Sequence, residues 1–408
     1  MSCRHCNADL SLTLVDLGSA PPSNAYLTEL TMRRPEKWFP LQVQVCESCW
    51  LVQAKAYSRA AELFNEEYAY FSSFSDIWLR HAEQYVADMV ARFGLTADNY
   101  VVEIAANDGY LLQYVKARGI PCCGVEPTAS TAAAAKIKGI PIIEDFFGVS
   151  LAKKMLSQGK QADLMTAINV LAHVPDVNDF VSGFVTLLKP AGVATFEFPH
   201  LLNLMLENQF DTIYHEHFSY LSFTTVKRIF EANGLTVFDV EELKTHGGSL
   251  RVFAQRSDTG RQTISAKVAE LLLREARSGM FTVDFYADFQ TKADIVKNDF
   301  LFFLLEAKRQ GKTVAAYGAA AKGNTLMNYA GVRPDLIKFV VDRNPAKQGK
   351  YMPGSRIPIV DEASLRQFRP DYVVILPWNL REEVMAQLAY IRDWGGKFVT
   401  AVPKLEVV

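Results

Sequence analysis

Hydrophobic positions change their spacing several times along the chain, and each change marks a different kind of element. Ile77, His81, Tyr85, Met89 and Phe93 recur at fourfold spacing, the period of one helix face. From residue 100 short apolar runs take over, at 100–105, 122–125, 141–143, 164–168 and 192–198, with amphipathic stretches between them. Strands buried on both faces read as such unbroken runs, so the alternation predicts a parallel sheet covered by helices on both sides. Runs at 235–240 and 249–254 predict antiparallel strands that finish the sheet. Helical spacing returns between 263 and 311, through Val268, Leu271 and Leu272 and then Val296, Phe300, Phe303 and Leu304, the second set predicting one long helix. Runs at 313–317, 337–341 and 372–376 predict a second α/β unit.

Length sharpens this picture. A chain of 408 residues exceeds one compact core, which predicts two or three domains. Hydrophobic residues at 49% and charged residues at 22% exclude a disordered chain. With 43 basic against 45 acidic residues there is no bulk basic field to recruit nucleic acid or anionic lipid. No apolar run approaches the roughly 18 residues that span a bilayer, and Met1 to His5 lack the apolar core of a signal peptide. A cytoplasmic protein with neither nucleic acid nor membrane as partner is expected.

Four of the six cysteines form two Cys-x-x-Cys knuckles, Cys3/Cys6 and Cys46/Cys49. In a long chain of this kind paired knuckles read as a metal site, and four thiolates suit tetrahedral Zn²⁺. Four protein ligands leave no open position, so the ion is expected to be structural. The long gap between the knuckles must hold an inserted loop, with Ala20-Pro21-Pro22-Ser23-Asn24 as its candidate. Cys122 and Cys123 sit in an apolar run and read as strand residues. Two redox-active or merely buried thiol pairs are the plainer alternative.

The segment Val101 to Tyr110 runs from an apolar strand through Glu103, Ala105, Ala106, Asn107, Asp108 and Gly109 into a helix. Ligands of doubly wound sheets sit beyond the strand ends, over the first helix N-terminus. Small residues allow close approach there, whereas Glu103 and Asp108 bring negative charge. That is wrong for a pyrophosphate and right for S-adenosylmethionine (SAM), which carries a sulfonium and an ammonium group. Glu126 ends the next strand, placed to accept from ribose hydroxyls. Asp145, Phe146 and Phe147 follow the third, offering a carboxylate for an adenine amino group and rings to stack on. An acid at a strand end is often only a helix cap; three in succession make the cofactor reading.

Five histidines lie where chemistry is expected. His173 follows Asn169 just past the fourth strand, His200 follows the fifth, His246 precedes Gly247-Gly248, and His215 and His217 flank Glu216 in Tyr214-His215-Glu216-His217. A lone histidine is more often a hydrogen-bonded structural side chain. The Tyr-His-Glu-His cluster gathers groups that abstract a proton and steady the anion left behind. It also fits a metal-binding His-x-His, although no third ligand stands at a diagnostic spacing. The residues alone do not separate His215 from His217. In the C-terminal unit, Tyr317-Gly318-Ala319-Ala320-Ala321-Lys322-Gly323-Asn324-Thr325 is another strand, small-residue loop and helix start. It carries a lysine and no acid, which fits an anionic diphosphate at a helix N-terminus, or else a tight turn with an exposed lysine. Leu376-Pro377-Trp378-Asn379 ends a later strand and offers further polar contacts.

Together the Cys-x-x-Cys pairs, the Glu103–Gly109 loop, Tyr214-His215-Glu216-His217 and the Tyr317–Thr325 segment resemble the SAM-dependent deoxysugar C-methyltransferases over essentially the whole chain. That family adds a methyl group at C3 of nucleotide-linked 4-keto-6-deoxysugars. The resemblance implies an α/β fold in three parts: a zinc-binding module at 1–57, a central doubly wound Rossmann-like methyltransferase domain at 58–260, and a helical connection with a Rossmann-like nucleotide-sugar-binding domain at 261–408. It further implies His217 as the base that removes the C3 proton, with Tyr214, Glu216, Tyr68, Asn169 and His173 around the reacting centre. Tyr70, His200, His215, Tyr317, Lys322, Asn324, Trp378 and Asn379 are the expected substrate contacts, and a monomer is expected. One departure is Ala105, where many methyltransferases have glycine; alanine keeps the close approach where φ is negative. A sugar O-methyltransferase and a non-catalytic zinc-containing binding protein are the competing readings.

Overall fold

The computed structural model describes residues 2–55, 57 and 71–408. Strands β1 (Leu12–Ala20), β2 (Phe39–Val45) and β3 (Val52–Ala54) form an antiparallel sheet beside the cysteine knuckles. Its inward positions, Val15, Val43, Val45 and Val52, are fully buried.

The predicted helix at 77–93 is present as Asp76–Phe93, opened by the Ser75 side chain accepting from the Trp78 N–H and closed by Gly94 at φ 63°. The five apolar runs after it become β4 (Val101–Ile104), β5 (Cys122–Val125), β6 (Ile142–Ile143), β7 (Ala162–Ile168) and β8 (Leu188–Pro199). β9 (Ser219–Tyr220) leaves this unit and pairs with β3, so the N-terminal sheet takes its fourth strand from the middle of the chain. β10 (Leu235–Leu243) and β11 (Ser249–Arg256) are antiparallel, as expected. The sheet order is β10-β11-β8-β7-β4-β5-β6, with β4 to β8 parallel. The chain runs outward from β4 one way, then resumes at β7 on its other side. The crevice beyond that reversal is where doubly wound folds hold ligands.

Helices Ala266–Arg277 and Phe289–Arg309 lead to the third unit, the second being the long one foreseen. β12 (Val314–Tyr317), β13 (Val340–Val341), β14 (Ile359–Val360), β15 (Tyr372–Ile375), β16 (Lys397–Thr400) and β17 (Glu406–Val407) order as β14-β13-β12-β15-β16-β17, all parallel but the last. The reversal here lies between β12 and β15. The expected strand at 337–341 shrinks to Val340–Val341, because the Leu336 and Ile337 amides turn back onto the Arg333 carbonyl. Among the described residues no helix is long and apolar enough to cross a membrane.

The modules are fused through their cores. One apolar cluster runs from Val15 and Val43 through Phe210, Ile213, Phe289 and Phe300 to Val314 and Val374, joining the first and third units. Another takes Cys3, Cys46 and Cys49 together with Phe180, Phe196 and Phe223 of the central unit. A buried polar knot ties down the helix Phe223–Ala232: Glu275 accepts from His200 Nε2 at 2.7 Å and from the Phe223 and Thr224 N–H groups at 2.7 and 2.8 Å.

Replacing Glu275 with alanine leaves those donors unpaired in a dry interior and costs about 3–5 kcal/mol of stability in a denaturant melt. Burial opposes the Glu275 charge, but the His200 and Thr224 bonds prevail and hold its carboxyl below the usual 4.5. The carboxylate's contribution is therefore complete above pH 4.5 and drains as pH falls below it. A pH series of melts shows the wild type losing this increment in acid and Glu275→Ala having none to lose.

Candidate active site and zinc centre

The loop after β4 forms the acidic end of the site. Glu103 is fully buried and neither carboxylate oxygen has a hydrogen-bond partner; Asp108 Oδ1 is buried and unpaired as well. Burial, with the Asp108 and Glu126 carboxylates adding to it, pushes Glu103 well above the usual range. Three enclosed acids at a helix start repel a phosphate and fit a cationic ligand, so the residues present fit SAM. Glu126 Oε2 accepts from the Asn107 N–H and Oε1 from Thr128, each at 2.9 Å, which fixes its carboxylate at the end of β5. The segment before the helix Asp76–Phe93 caps the loop: Ser72 N–H donates to Asn107 Oδ1 at 2.9 Å and Ser73 N–H to Asp108 Oδ2 at 3.2 Å. Gly109 has φ 76° and its Cα lies so close to Ile140 that a Cβ would stand 2.3 Å from the Ile140 Cδ1 atom.

The turn at 210–217 forms the second part. His217 N–H donates to the Tyr214 carbonyl at 2.9 Å, folding the four-residue motif back on itself. His217 Nδ1 lies 2.9 Å from the Thr212 carbonyl. A carbonyl only accepts, so Nδ1 carries the hydrogen and Nε2 the lone pair. His173 is set the same way, its Nδ1 2.7 Å from the Glu216 carbonyl, and its ring meets that of His217 edge-on with centroids 4.6 Å apart. Tyr214 packs on the other side of His217 at 4.0 Å. Burial first, then His173, lowers the His217 pKa well below 6.5, and burial takes His173 to about 4, so both are neutral at pH 7. Asn169, at φ 54°, donates from Nδ2 to His246 Nε2 at 3.0 Å, and His246 in turn meets the Trp78 ring edge-on.

The first and third units close the site from outside. Asn24, in the loop expected between the knuckles, gives both its backbone N–H and Nδ2 to Glu216 Oε1 at 3.2 Å. Asn324 Nδ2 donates to the Ser23 carbonyl at 2.6 Å and Thr325 Oγ1 to the Ile213 carbonyl at 2.8 Å. Lys322 donates to Asn379 Oδ1 at 2.7 Å and lies 4.5 Å over the Trp378 ring, whose Nε1 donates to Asp211 Oδ2 at 2.8 Å.

The four knuckle sulfurs all lie within 4.8 Å of one another, with Cys3–Cys49 and Cys6–Cys46 at 3.5 Å. Thiolates about 2.3 Å from a tetrahedral zinc stand about 3.8 Å apart, so this cage is the size of the ion. The knuckles are built alike. Asn7 and Trp50, each after the second cysteine, have φ 61° and 64° and donate to the carbonyls of Cys3 and Cys46. Among the described residues no other group of three or more histidine, cysteine or acidic side chains is this close.

Several expected site residues are placed elsewhere. His200 is fully buried against Glu275 in the polar knot rather than at the cleft. His215 points to the N-terminal sheet, with Nε2 3.2 Å from the Phe39 carbonyl, which separates it from His217. Tyr317 sends its hydroxyl to Gln387 at 3.1 Å. Asn324 serves the N-terminal loop. Phe147 packs edge-on against Phe180 and Phe184, so of the two expected stacking rings only Phe146 stays open, beside the exposed Asp145. Ala105 has φ 57°, not the negative value expected, and so bears the strain glycine avoids. Tyr68 and Tyr70 lie outside the described residues. Trp78 and Asp211 were not foreseen, and Asn24 was named only as part of the inserted loop; only the fold brings the three to the cleft.

This fold and site define a methyltransferase with a zinc module before it and an α/β unit after it. Three family descriptions match the chain in that order: "Putative zinc binding domain" over residues 3–64, "Methyltransferase domain" over 78–240 and "C-methyltransferase C-terminal domain" over 244–403. The C-methyltransferase NovU of Streptomyces niveus is 34% identical over 406 residues, covering 100% of this chain and 96% of that protein. The chain belongs to the SAM-dependent C-methyltransferase family. It is an enzyme, with SAM and a structural zinc as its cofactors, and the O-methyltransferase and non-catalytic readings fall away. Among solved structures, magnesium protoporphyrin IX methyltransferase from Synechocystis PCC 6803 with bound SAH is similar at 17% identity and TM-score 0.36, covering 44% of this chain and 83% of that one. PH0226 from Pyrococcus horikoshii OT3 is similar at 15% identity and TM-score 0.39, covering 46% and 95%.

Two outcomes test the site. Cys46→Ser lowers zinc, measured by metal analysis, from one ion per chain toward none and weakens the N-terminal module, since binding free energy is folding free energy in so small a unit. Ala105→Gly holds or raises the melting temperature, because about 1–2 kcal/mol of left-handed strain offsets the entropy of glycine. Ala106→Gly, at a fully buried neighbour without positive φ, lowers it.

Proposed function

We propose that the enzyme transfers the methyl group of SAM to C3 of a nucleotide-linked 4-keto-6-deoxysugar, with His217 as the base that removes the C3 proton. The observation that carries this reading is the locked imidazole: Nδ1 is held by the Thr212 carbonyl and the neutral ring keeps its lone pair on Nε2. The sugar substrate rests on the resemblance set out above.

A hydrogen beside a ketone is acidic because the anion delocalises onto oxygen, yet it does not ionise unaided at pH 7. A base within about 3 Å, with positive charge or donors near the oxygen, lowers that barrier by several kcal/mol. SAM supplies, when bound, an electrophilic methyl group on a sulfonium sulfur. Glu103, Asp108 and Glu126 hold that cationic molecule. His217 Nε2 takes the proton, Tyr214 and His173 confine the ring to one orientation, and Asn24 keeps Glu216 beneath it. The resemblance adds Tyr68 to the residues of the reaction. Lys322, Trp378 and Asn379 present the third unit's polar groups to the nucleotide sugar from across the cleft, which keeps donor and acceptor together.

His217→Asn keeps a polar side chain but no base. It is expected to cut turnover about 10²–10⁴-fold while SAM affinity by calorimetry stays within about threefold. Because the neutral ring is the active form and its pKa lies below 6.5, wild-type kcat/KM stays level as pH falls to 6.5 and declines only further down. A panel of dTDP-, GDP- and UDP-linked 4-keto-6-deoxysugars, offered with methyl-labelled SAM and read by NMR of the product, places the methyl group. Carbon C5 is the other position beside the ketone, so label at C5, or full activity in His217→Asn, overturns the assignment.

A further inference from the structure

Removing the C3 proton leaves a negative charge on the C4 oxygen, and neither His217 nor the acids at the cofactor end can stabilise it. Among the described residues Lys322 is the cation that the site offers for that task. Lys322 occupies the first turn of the helix Ala321–Tyr329, immediately beyond the β12 reversal of the third unit. Its ammonium meets Asn379 Oδ1 at 2.7 Å and the Trp378 ring at 4.5 Å, and among the described residues Asp211 acts on it only from beyond ion-pair distance. That cluster is fastened to the base. Trp378 Nε1 bonds Asp211, and Asp211 stands next to Thr212, whose carbonyl holds His217 Nδ1. On the other side Gly247, beside His246, approaches the Trp378 ring so closely that a Cβ would stand 2.5 Å from it. Trp378 is therefore lodged between the two turns that carry His217 and His246, with Lys322 over its ring, and Lys322 lowers the pKa of both imidazoles. Burial lowers the pKa of Lys322 itself and Asp211 opposes that shift.

We propose that Lys322 is the electrostatic partner of the enolate oxygen rather than a ligand of the diphosphate. Asp211 and Lys322 meet the same indole: Asp211 Oδ2 accepts from Trp378 Nε1 at 2.8 Å and the ammonium lies 4.5 Å over the ring, so an acid stands beside the lysine. Burial raises the Asp211 pKa to about 6, with Lys322 pulling the other way. A standing dianion such as a diphosphate is repelled by that neighbour. A single negative charge that appears only in the transition state meets the lysine while the surroundings stay balanced. In the step itself the C3–H bonding pair becomes the C3–C4 π bond, the proton passes to His217 Nε2, and the carbonyl π pair moves onto oxygen beside the ammonium. The pair returns as the carbonyl reforms and C3 bonds to the methyl group, which leaves its sulfur as a neutral thioether.

The inference rests on the keto-sugar reading, and its test separates the two. Wild-type enzyme, Lys322→Met and Lys322→Arg are each given the panel of keto sugars in D₂O with S-adenosylhomocysteine, and deuterium entry at C3 is followed by NMR. Methylation kcat and KM, and the affinity for dTDP, GDP and UDP alone, are measured alongside. Lys322→Met is expected to slow both exchange and kcat about 100-fold, with KM and nucleotide affinity within about threefold. Lys322→Arg, which keeps the charge, is expected to fall between the two. Exchange at the wild-type rate in Lys322→Met overturns the proposal, as does a loss seen only as raised KM and weakened nucleotide binding. If the wild type itself exchanges no panel member, the keto-sugar reading fails first and takes this one with it. Should Lys322→Met melt early, Lys322→Gln carries the same comparison.

Discussion

The site depends on one hydrogen bond, from His217 Nδ1 to the Thr212 carbonyl. It converts a side chain with two interchangeable nitrogens into one with a fixed donor and a fixed acceptor. The bond is worth little alone, but its geometry is held from three directions. The central unit supplies the turn, the N-terminal loop holds Glu216 through Asn24, and the third unit holds the Ile213 carbonyl through Thr325. An imidazole held in a dry pocket cannot reorient through water, so its tautomer is set by these neighbours. The zinc module thus reaches the proposed site without lining it: the four cysteines order the strands from which the Ser23-Asn24 loop emerges, and that loop bonds Glu216 in the turn that carries His217.

Charge is distributed along the cleft in a matching way. At the β4 end three carboxylates are enclosed, two of them, Glu103 and Asp108, with oxygens left over, which is costly until a cation arrives. At the other end a single lysine rests on an amide oxygen and an indole face. Between them stand imidazoles kept neutral by burial. In the proposed reaction, which creates an anion at one point and consumes a positive charge at another, neutral imidazoles between a cation-seeking pole and a cation are the fitting arrangement. Water in the cleft would screen both poles, so closure by all three modules serves electrostatics as much as positioning.

What the sequence reveals follows from how local each signal is. Buried parallel strands announce themselves as apolar runs, so β4, β5, β7 and β8 and the loops at their ends are legible. The knuckles are legible because metal geometry imposes a spacing. The direction in which neighbouring side chains point is not. His215 and His217 are two residues apart in one motif, yet one meets the Phe39 carbonyl and the other the Thr212 carbonyl beside His173, because the turn closed by Tyr214 sets them apart. Phe146 and Phe147 divide in the same way between opening and core. Asn24 reaches Glu216 across 192 positions of sequence, and no periodicity records such a contact.

The misjudged conformation of Ala105 belongs to a pattern with a physical cause. Ala105, Asn107, Asn169 and His246 all adopt positive φ, at 57°, 49°, 54° and 53°, and all four border the cleft at strand ends or tight turns. Left-handed backbone costs a residue with a Cβ about 1–2 kcal/mol, so a set of them is not a local accident of propensity. Three of the four are held by hydrogen bonds: Asn107 N–H to Glu126, Asn169 N–H to the Glu197 carbonyl, and Asn169 Nδ2 to His246. The surrounding sheets over-determine these turns, and the strain is the cost of aiming the chain's polar groups inward at a point where ordinary backbone would direct them along the sheet. Fold stability and site geometry are therefore in tension around the cleft, and the fused cores of the three modules are what let the geometry prevail.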